Sequence, residues 1–182
     1  ADDISLPERF EKQINFLFRH PDIKILGGDH IIIDEEGKAN SHFIYPKITS
    51  VIRWNMLLGN GLIVSNSAAM MDRDFVISLG GYSSLRAAQD FDLWTRTFWM
   101  DPFPIANLED CLLAYRQHGK STTSANNSFQ EKTAIRIRLE KISQFLEKPV
   151  PEEVVLAYRH PAYAYSNIEE CIRLWIELYC KF

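Results

Sequence analysis

The apolar positions change period along this chain. Leu6, Phe10, Ile14, Leu17 and Phe18 recur at helical spacing up to His20, where Pro21 ends the pattern. Ser5-Leu6-Pro7-Glu8 reads as a capping box with proline in the first turn, so the helix is predicted to start at once. Residues 23–26 and 30–34 are apolar and β-branched around Gly27-Gly28, the pattern of a strand with a bend. Glu35-Glu36-Gly37-Lys38 is a turn, and the chain returns irregularly through Tyr45-Pro46. Residues 47–58 read as a helix ending at Gly59-Asn60-Gly61, and residues 62–64 and 67–71 as buried extended segments. A short helix over 72–79 closes at Gly80-Gly81, another covers 89–100, and a strand over 105–115 is broken by Glu109-Asp110. The period then becomes helical throughout. Residues 129–147 and 166–180 form amphipathic helices, with a shorter one after Pro151.

The pattern predicts an α/β front with a helical tail. A chain of 182 residues can bury one sizeable core, and no repeat, low-complexity run or linker marks a second domain. Composition then removes several function classes. The net charge of −4 leaves no basic footprint for nucleic acid. No apolar run is long enough to span a bilayer, and the tail helices carry acids without a strongly basic face, which argues against a membrane-surface helix. Cys111, Cys171 and Cys180 are odd in number and lack a CxxC spacing, as expected of reduced thiols in a cytoplasmic protein. The sequence starts on Ala1-Asp2-Asp3 without a methionine and is expected to be part of a longer chain.

Candidate chemistry concentrates in residues 80–96. Gly80-Gly81 supplies a loop that takes φ > 0 and lets backbone approach a ligand. Asp90 and Asp92 follow in a first helical turn, where the macrodipole favours negative charge. Asp92 and Arg96 lie four apart and can pair, leaving Asp90 free to act as a general base. Acids in a first turn are also common as plain solvated charge, so spacing alone leaves both readings open. Asp2 and Asp3 are either caps or hard oxygen ligands for Mg²⁺ or Mn²⁺. His118 is an ordinary loop histidine unless Asp2 and Asp90 converge on it. Gly119-Lys120-Ser121 mimics the end of a P-loop, but Ala114 stands where its first glycine belongs, so that reading fails. His30, His42, Trp54 and Trp99 offer no recognisable geometry, and no Ser-His-Asp or Cys-His arrangement follows from spacing.

Taken in order, the motifs resemble a known family. Asp2-Asp3-Ile4-Ser5-Leu6-Pro7-Glu8-Arg9 resembles the segment after the fourth strand of inverting family-2 glycosyltransferases of the GT-A fold. Asn66-Ser67, Met70-Met71, Leu79-Gly80-Gly81-Tyr82, Asp90-Phe91-Asp92-Leu93-Trp94-Thr95-Arg96, and Tyr115-Arg116 with His118 and Ser121 follow in the same order. The resemblance covers residues 1–124 and implies the acceptor-side part of a GT-A domain, with residues 125–182 a helical extension packed on it. It implies transfer of a sugar from a nucleotide-diphosphate sugar to a glycan or lipid-linked acceptor, with inversion. Asp90 matches the general base, with Gln89 in place of the family's preceding Glu. Gly80, Gly81, Tyr82, Asp92, Trp94 and Arg96 fall on the substrate-binding run. Asp2 matches the second acid of the metal-binding Asp-x-Asp motif, and His118 a histidine that can reach that metal, a divalent Mg²⁺ or Mn²⁺.

The resemblance also implies that a preceding half supplies the nucleotide pocket. These residues alone are therefore expected to show an unpaired sheet edge and an exposed apolar face, to favour homo-oligomers through that edge, and to transfer little sugar. Peripheral association with the inner face of a membrane is a further family-level expectation. The competing function is a non-catalytic glycan-binding or interaction module. A nucleotidyltransferase would need a glycine-rich, basic nucleotide loop that this sequence lacks.

Overall fold

The computed structural model describes residues 2–58, 62–117, 127–158 and 168–182. Its elements in chain order are β1 (Ile4–Ser5), α1 (Arg9–Arg19), β2 (Ile25–Ile33), β3 (Ala39–Phe43) and α2 (Thr49–Leu57). A 3-10 turn (Asn66–Ala68), β4 (Met70–Met71), α3 (Arg73–Ser78), α4 (Gln89–Thr95) and β5 (Ile105–Arg116) follow. The tail is helical, with α5 (Asn127–Leu146), α6 (Glu152–Ala157) and α7 (Ile168–Lys181).

The five strands form one mixed sheet in the order β1-β5-β2-β3, with β4 beside the first half of β2. The central pair, β2 and β5, is parallel; β1, β3 and β4 join antiparallel. The bend expected at Gly27-Gly28 and the break expected at Glu109-Asp110 are two sides of one irregularity. Gly28 pairs with Leu108 but Asp29 pairs with Cys111, so Glu109 and Asp110 bulge out of the ladder. The glycines permit the close approach: a Cβ on Gly27 would sit 2.2 Å from Val64 and 2.5 Å from Asn107, and one on Gly28 2.6 Å from Leu112.

One expected element is corrected. Ser5 does not cap a helix: residues 4 and 5 pair with Ala114 and Leu113, and the Leu6 N–H donates to the Leu112 carbonyl at 3.0 Å. Helix α1 then starts at Arg9 behind Glu8, with no side-chain cap. Long-range pairing with β5 recruited the backbone that the local capping signal needed.

The core lies between the sheet and the helical layer. Ile25 and Ile105 from the parallel pair pack in one cluster with Ile52, Met56, Leu93, Trp94, Ile142 and Leu178, so the tail helices share the core of the front. An exposed apolar face does occur, on α1, where Phe10, Ile14 and Phe18 face solvent while Gln13 is buried. The Gln13 amide donates to the carbonyls of Leu26 and Ala68 at 3.0 and 2.9 Å, pinning α1 to the sheet through its polar residue. The sheet edges are modest, since β1 has two residues and β3 is mostly polar and exposed.

Candidate functional site

Helix α3 starts on Asp72, whose carboxylate accepts from the Phe75 N–H at 2.9 Å. It ends on the two glycines. Gly80 and Gly81 have φ of 87° and 65°, and their N–H groups bond back to Ile77 and Val76 at 2.9 Å each, a Schellman ending. The loop is therefore a helix stop before it is anything else. Its carbonyl side is held by Arg96, whose Nη1 donates to Leu79 and Gly81 at 2.8 and 2.7 Å. The Arg96 Nη2 pairs with Asp92 one helical turn earlier. Asp92 and Arg96 thus form a clamp on the glycine loop, and their polar groups are spent there.

Asp90 stands apart from this clamp. It is half-buried in the first turn of α4, after Ala88 in the left-handed region at φ 55°. One carboxylate oxygen accepts the N–H of Phe91 at 2.8 Å, and among the described residues Asp90 forms no ion pair. Two phenols feel its charge. Burial, reinforced by Asp90, raises the pKa of Tyr82, whose hydroxyl donates to Asn66 Oδ1 at 2.9 Å. Burial also pushes Tyr45 up to about 12, with Asp90 contributing and the Ser65 hydroxyl opposing. Both phenols stay protonated at neutral pH, and the single hydroxyl proton of Tyr82 is donated to Asn66.

Behind Tyr45 the wall continues toward Asp3. The His30 ring stacks on Phe43 (5.1 Å, 7°) and touches Tyr45 and Tyr115. Burial lowers the His30 pKa against the opposing charges of Asp3 and Asp29, and its Nδ1 is buried without a partner. Asp29 is itself buried, accepting from the Tyr45 N–H at 2.8 Å and pairing with Lys47. Asp3 accepts from the Arg116 N–H at 3.0 Å, and the Arg116 side chain bonds the carbonyls of Asp2, Asp34 and Glu35. Arg116 ends β5 and Asp34 follows β2. The acidic pair thus sits beyond the carboxyl ends of the parallel strands, where open α/β sheets bind ligands.

The sequence-predicted residues therefore divide. Asp92 and Arg96 face the glycine loop, whereas Asp90 makes itself felt on Tyr82 and Tyr45 through its charge. Asp2 is exposed at the strand ends next to Asp3, whose charge reaches His30. Trp94 is 2 % exposed and packs inside the core cluster, apart from the exposed face of the glycine loop. His118 lies outside the described residues, as does Gly119-Lys120-Ser121. Nothing in the spacing singles out Tyr45, His30, Asp29 and Lys47. The one signal is an acid and a histidine set inside an apolar strand run. Cys111 Sγ also lies 3.1 Å from His42 Nε2, but burial and then Asp29 raise the thiol's pKa, so the pair is no activated nucleophile.

For a divalent metal, the donor set among the described residues is thin. No group of three or more His, Cys, Asp or Glu side chains converges there. Asp3 accepts from the Arg116 N–H, and Asp2 is exposed beside it, as are Glu35 and Glu36 after β2. These residues by themselves do not make a metal centre.

No protein-family model matches the chain. It is 30% identical over 149 residues to the O-antigen biosynthesis glycosyltransferase WbnJ of Escherichia coli, covering 81% of this chain and 55% of WbnJ. It is 35% identical over 116 residues to the amylovoran biosynthesis glycosyltransferase AmsE of Erwinia amylovora, covering 64% of this chain and 42% of AmsE. An uncharacterized glycosyltransferase of Methanocaldococcus jannaschii matches at 32% over 117 residues, covering 64% of this chain and 39% of that protein. The chain is a relative of glycosyltransferases. It spans about half the length of the curated relatives it matches. Glycosyl transfer is what their names share, and two of them are named for making polysaccharides. No helix among the described residues is long and apolar enough to cross a membrane.

Proposed function

We propose that this chain is the acceptor-side part of an inverting family-2 glycosyltransferase of the GT-A fold. It would transfer a sugar from a nucleotide-diphosphate sugar to a hydroxyl of a glycan or lipid-linked acceptor. The observation that carries the reading is the contrast between two acids on one helix turn: Asp92 is tied to Arg96, while Asp90 forms no ion pair among the described residues. A general base needs a carboxylate oxygen free to take a proton. Asp90 keeps one such oxygen, its other accepting from Phe91, and its charge acts on two phenols that stay protonated.

In the proposed step the acceptor oxygen attacks the anomeric carbon from the face opposite the leaving group. As the new C–O bond forms, its proton passes to the free oxygen of Asp90. The bond from the anomeric carbon to the diphosphate oxygen breaks, and its electron pair leaves with the nucleoside diphosphate. Tyr82 and Tyr45 stay neutral, so neither adds a competing negative charge to that of Asp90. Asp2 would be this chain's contribution to a divalent metal that neutralises the departing diphosphate. No step above depends on that ion.

The test is Asp90→Asn in the full-length protein. The amide keeps the size and the hydrogen bond from Phe91 but cannot accept the proton. Transfer should fall by about 10²–10⁴-fold while nucleotide-sugar binding changes little. Turnover within threefold of the wild type removes Asp90 from the mechanism.

A further inference from the structure

At the far end of α4 from Asp90, a cleft of about 410 Å³ opens between Thr49, Ser50, Arg53, Phe98, Trp99, Phe145 and Phe182. That volume suits a small ligand. Three observations about it converge. Arg53 is half-buried and forms no ion pair among the described residues; it donates to the Met100 carbonyl and lies 4.7 Å from the Phe103 ring, and its Nε is shielded without a partner. A sheltered guanidinium without a carboxylate is an unbalanced charge. The nearby acid Glu147 is already paired with Lys181. The walls are aromatic, with Trp99 5.6 Å from Phe145 and Phe182 at 6.4 Å from the same ring. Trp99 is 55% and Phe182 42% exposed, in front of Phe98 and Phe145, which belong to the core behind them.

The rim adds to the same sign of charge. Ile48 stands at the N-cap of α2, where its side chain can accept nothing, so the first N–H groups of this helix have no side-chain cap. Uncapped N–H groups and the positive end of the helix favour an anion. The hydroxyl-bearing Thr49 and Ser50 line the cleft at that same point.

We propose that this cleft binds an anionic pyranose, a ring bearing a carboxylate, at a site separate from that of transfer. The carboxylate would pair with Arg53, one turn into α2, and the C–H face of the ring would lie on Trp99 and Phe182. The choice of a sugar acid over another ring-bearing anion rests on the glycosyl-transfer reading. Asp90 stands in the first turn of α4 and Trp99 in the turns that follow its last residue, Thr95, so one acidic unit of a bound glycan can be held while another part reaches Asp90.

The test is calorimetric titration of the full chain with glucuronate, glucose and inorganic phosphate, alongside the indole N–H shift of Trp99. Glucuronate should saturate and move that indole resonance, with glucose and phosphate each at least tenfold weaker. Arg53→Gln and Trp99→Ala should each weaken glucuronate at least tenfold. Trp99 is largely exposed, so its variant keeps the fold even where Arg53→Gln does not. Asp90→Asn should bind glucuronate as the wild type does, which separates this proposal from the transfer mechanism. Equal binding of glucose removes the anion, equal binding of phosphate removes the ring, and absence of saturation overturns the site.

Discussion

Arg96 offers the sharpest test of how the candidate site is held. Arg96→Met keeps most of the side-chain volume and deletes every donor. The carbonyls of Leu79 and Gly81 lose bonds of 2.8 and 2.7 Å, and Asp92 loses its cation. A hydrogen bond from a charged donor contributes about 1.5–3 kcal/mol when sheltered. The Arg96 and Asp92 side chains are 25% and 22% exposed, so water recovers part of each loss. The ion pair itself adds about 0–1 kcal/mol in such a setting. Together these give a destabilisation of about 2–3 kcal/mol. Urea unfolding should show it as a lower midpoint at unchanged slope, and amide exchange at Gly80, Gly81 and Tyr82 should accelerate. Asp92→Asn, which removes only the ion pair, should cost no more than about 1 kcal/mol. Arg96→Lys should recover less than half the loss, because one ammonium cannot serve two carbonyls and a carboxylate in a fixed fork. If Arg96→Met falls within about 0.5 kcal/mol of the wild type, or no lower than Asp92→Asn, the clamp is not what orders the loop.

Two glycines should separate strain from collision. Gly81→Ala meets nothing within 4 Å but holds φ at 65°, and should lose about 1 kcal/mol in denaturant titration; Gly27→Ala drives a Cβ to 2.2 Å from Val64 and should lose about 2–3 kcal/mol. Equal losses would show that the bulged β2–β5 contact yields to an added methyl. His30 carries the pH dependence. Burial lowers its pKa from 6.5, so the unfolded chain takes up a proton that the folded chain resists. Its contribution to stability is complete above 6.5 and is lost as pH falls below that value toward the folded pKa. His30→Phe suits the aromatic stack and removes the orphaned Nδ1, so its stability should change less than wild type between about pH 7 and pH 5; an unchanged slope would assign the acid sensitivity elsewhere.

Much of the local structure was legible because its causes are local. The cap at Asp72 and the stop at Gly80 bracket α3 within a residue of expectation, since both act through backbone groups three or four residues away. The same reasoning misjudged Ser5, where a strand pair from residues 113 and 114 outweighed a nearby cap. The Asp92–Arg96 pair could be read from a spacing of four, but its target, the carbonyls of Leu79 and Gly81, could not. Trp94 falls on the substrate-binding run by resemblance yet packs in the core, and a motif match carries no information on which side of a helix is inside.

The α/β order of elements, the bend at Gly27-Gly28, the glycine loop and the two acids that open α4 are written in the amino-acid sequence. Periodicity, caps and breakers encode these within a few residues of where they act. Packing alone settles that Asp92 serves the loop while Asp90 does not, that His30 stacks against Phe43, Tyr45 and Tyr115, and that Arg53 meets no acid among the described residues. Those outcomes depend on contacts between residues far apart in the chain, such as 3 with 116, 29 with 45 and 79 with 96. Charge balance in a partly buried site is settled by these encounters, because a side chain's partners are fixed only once the sheet and helices have packed.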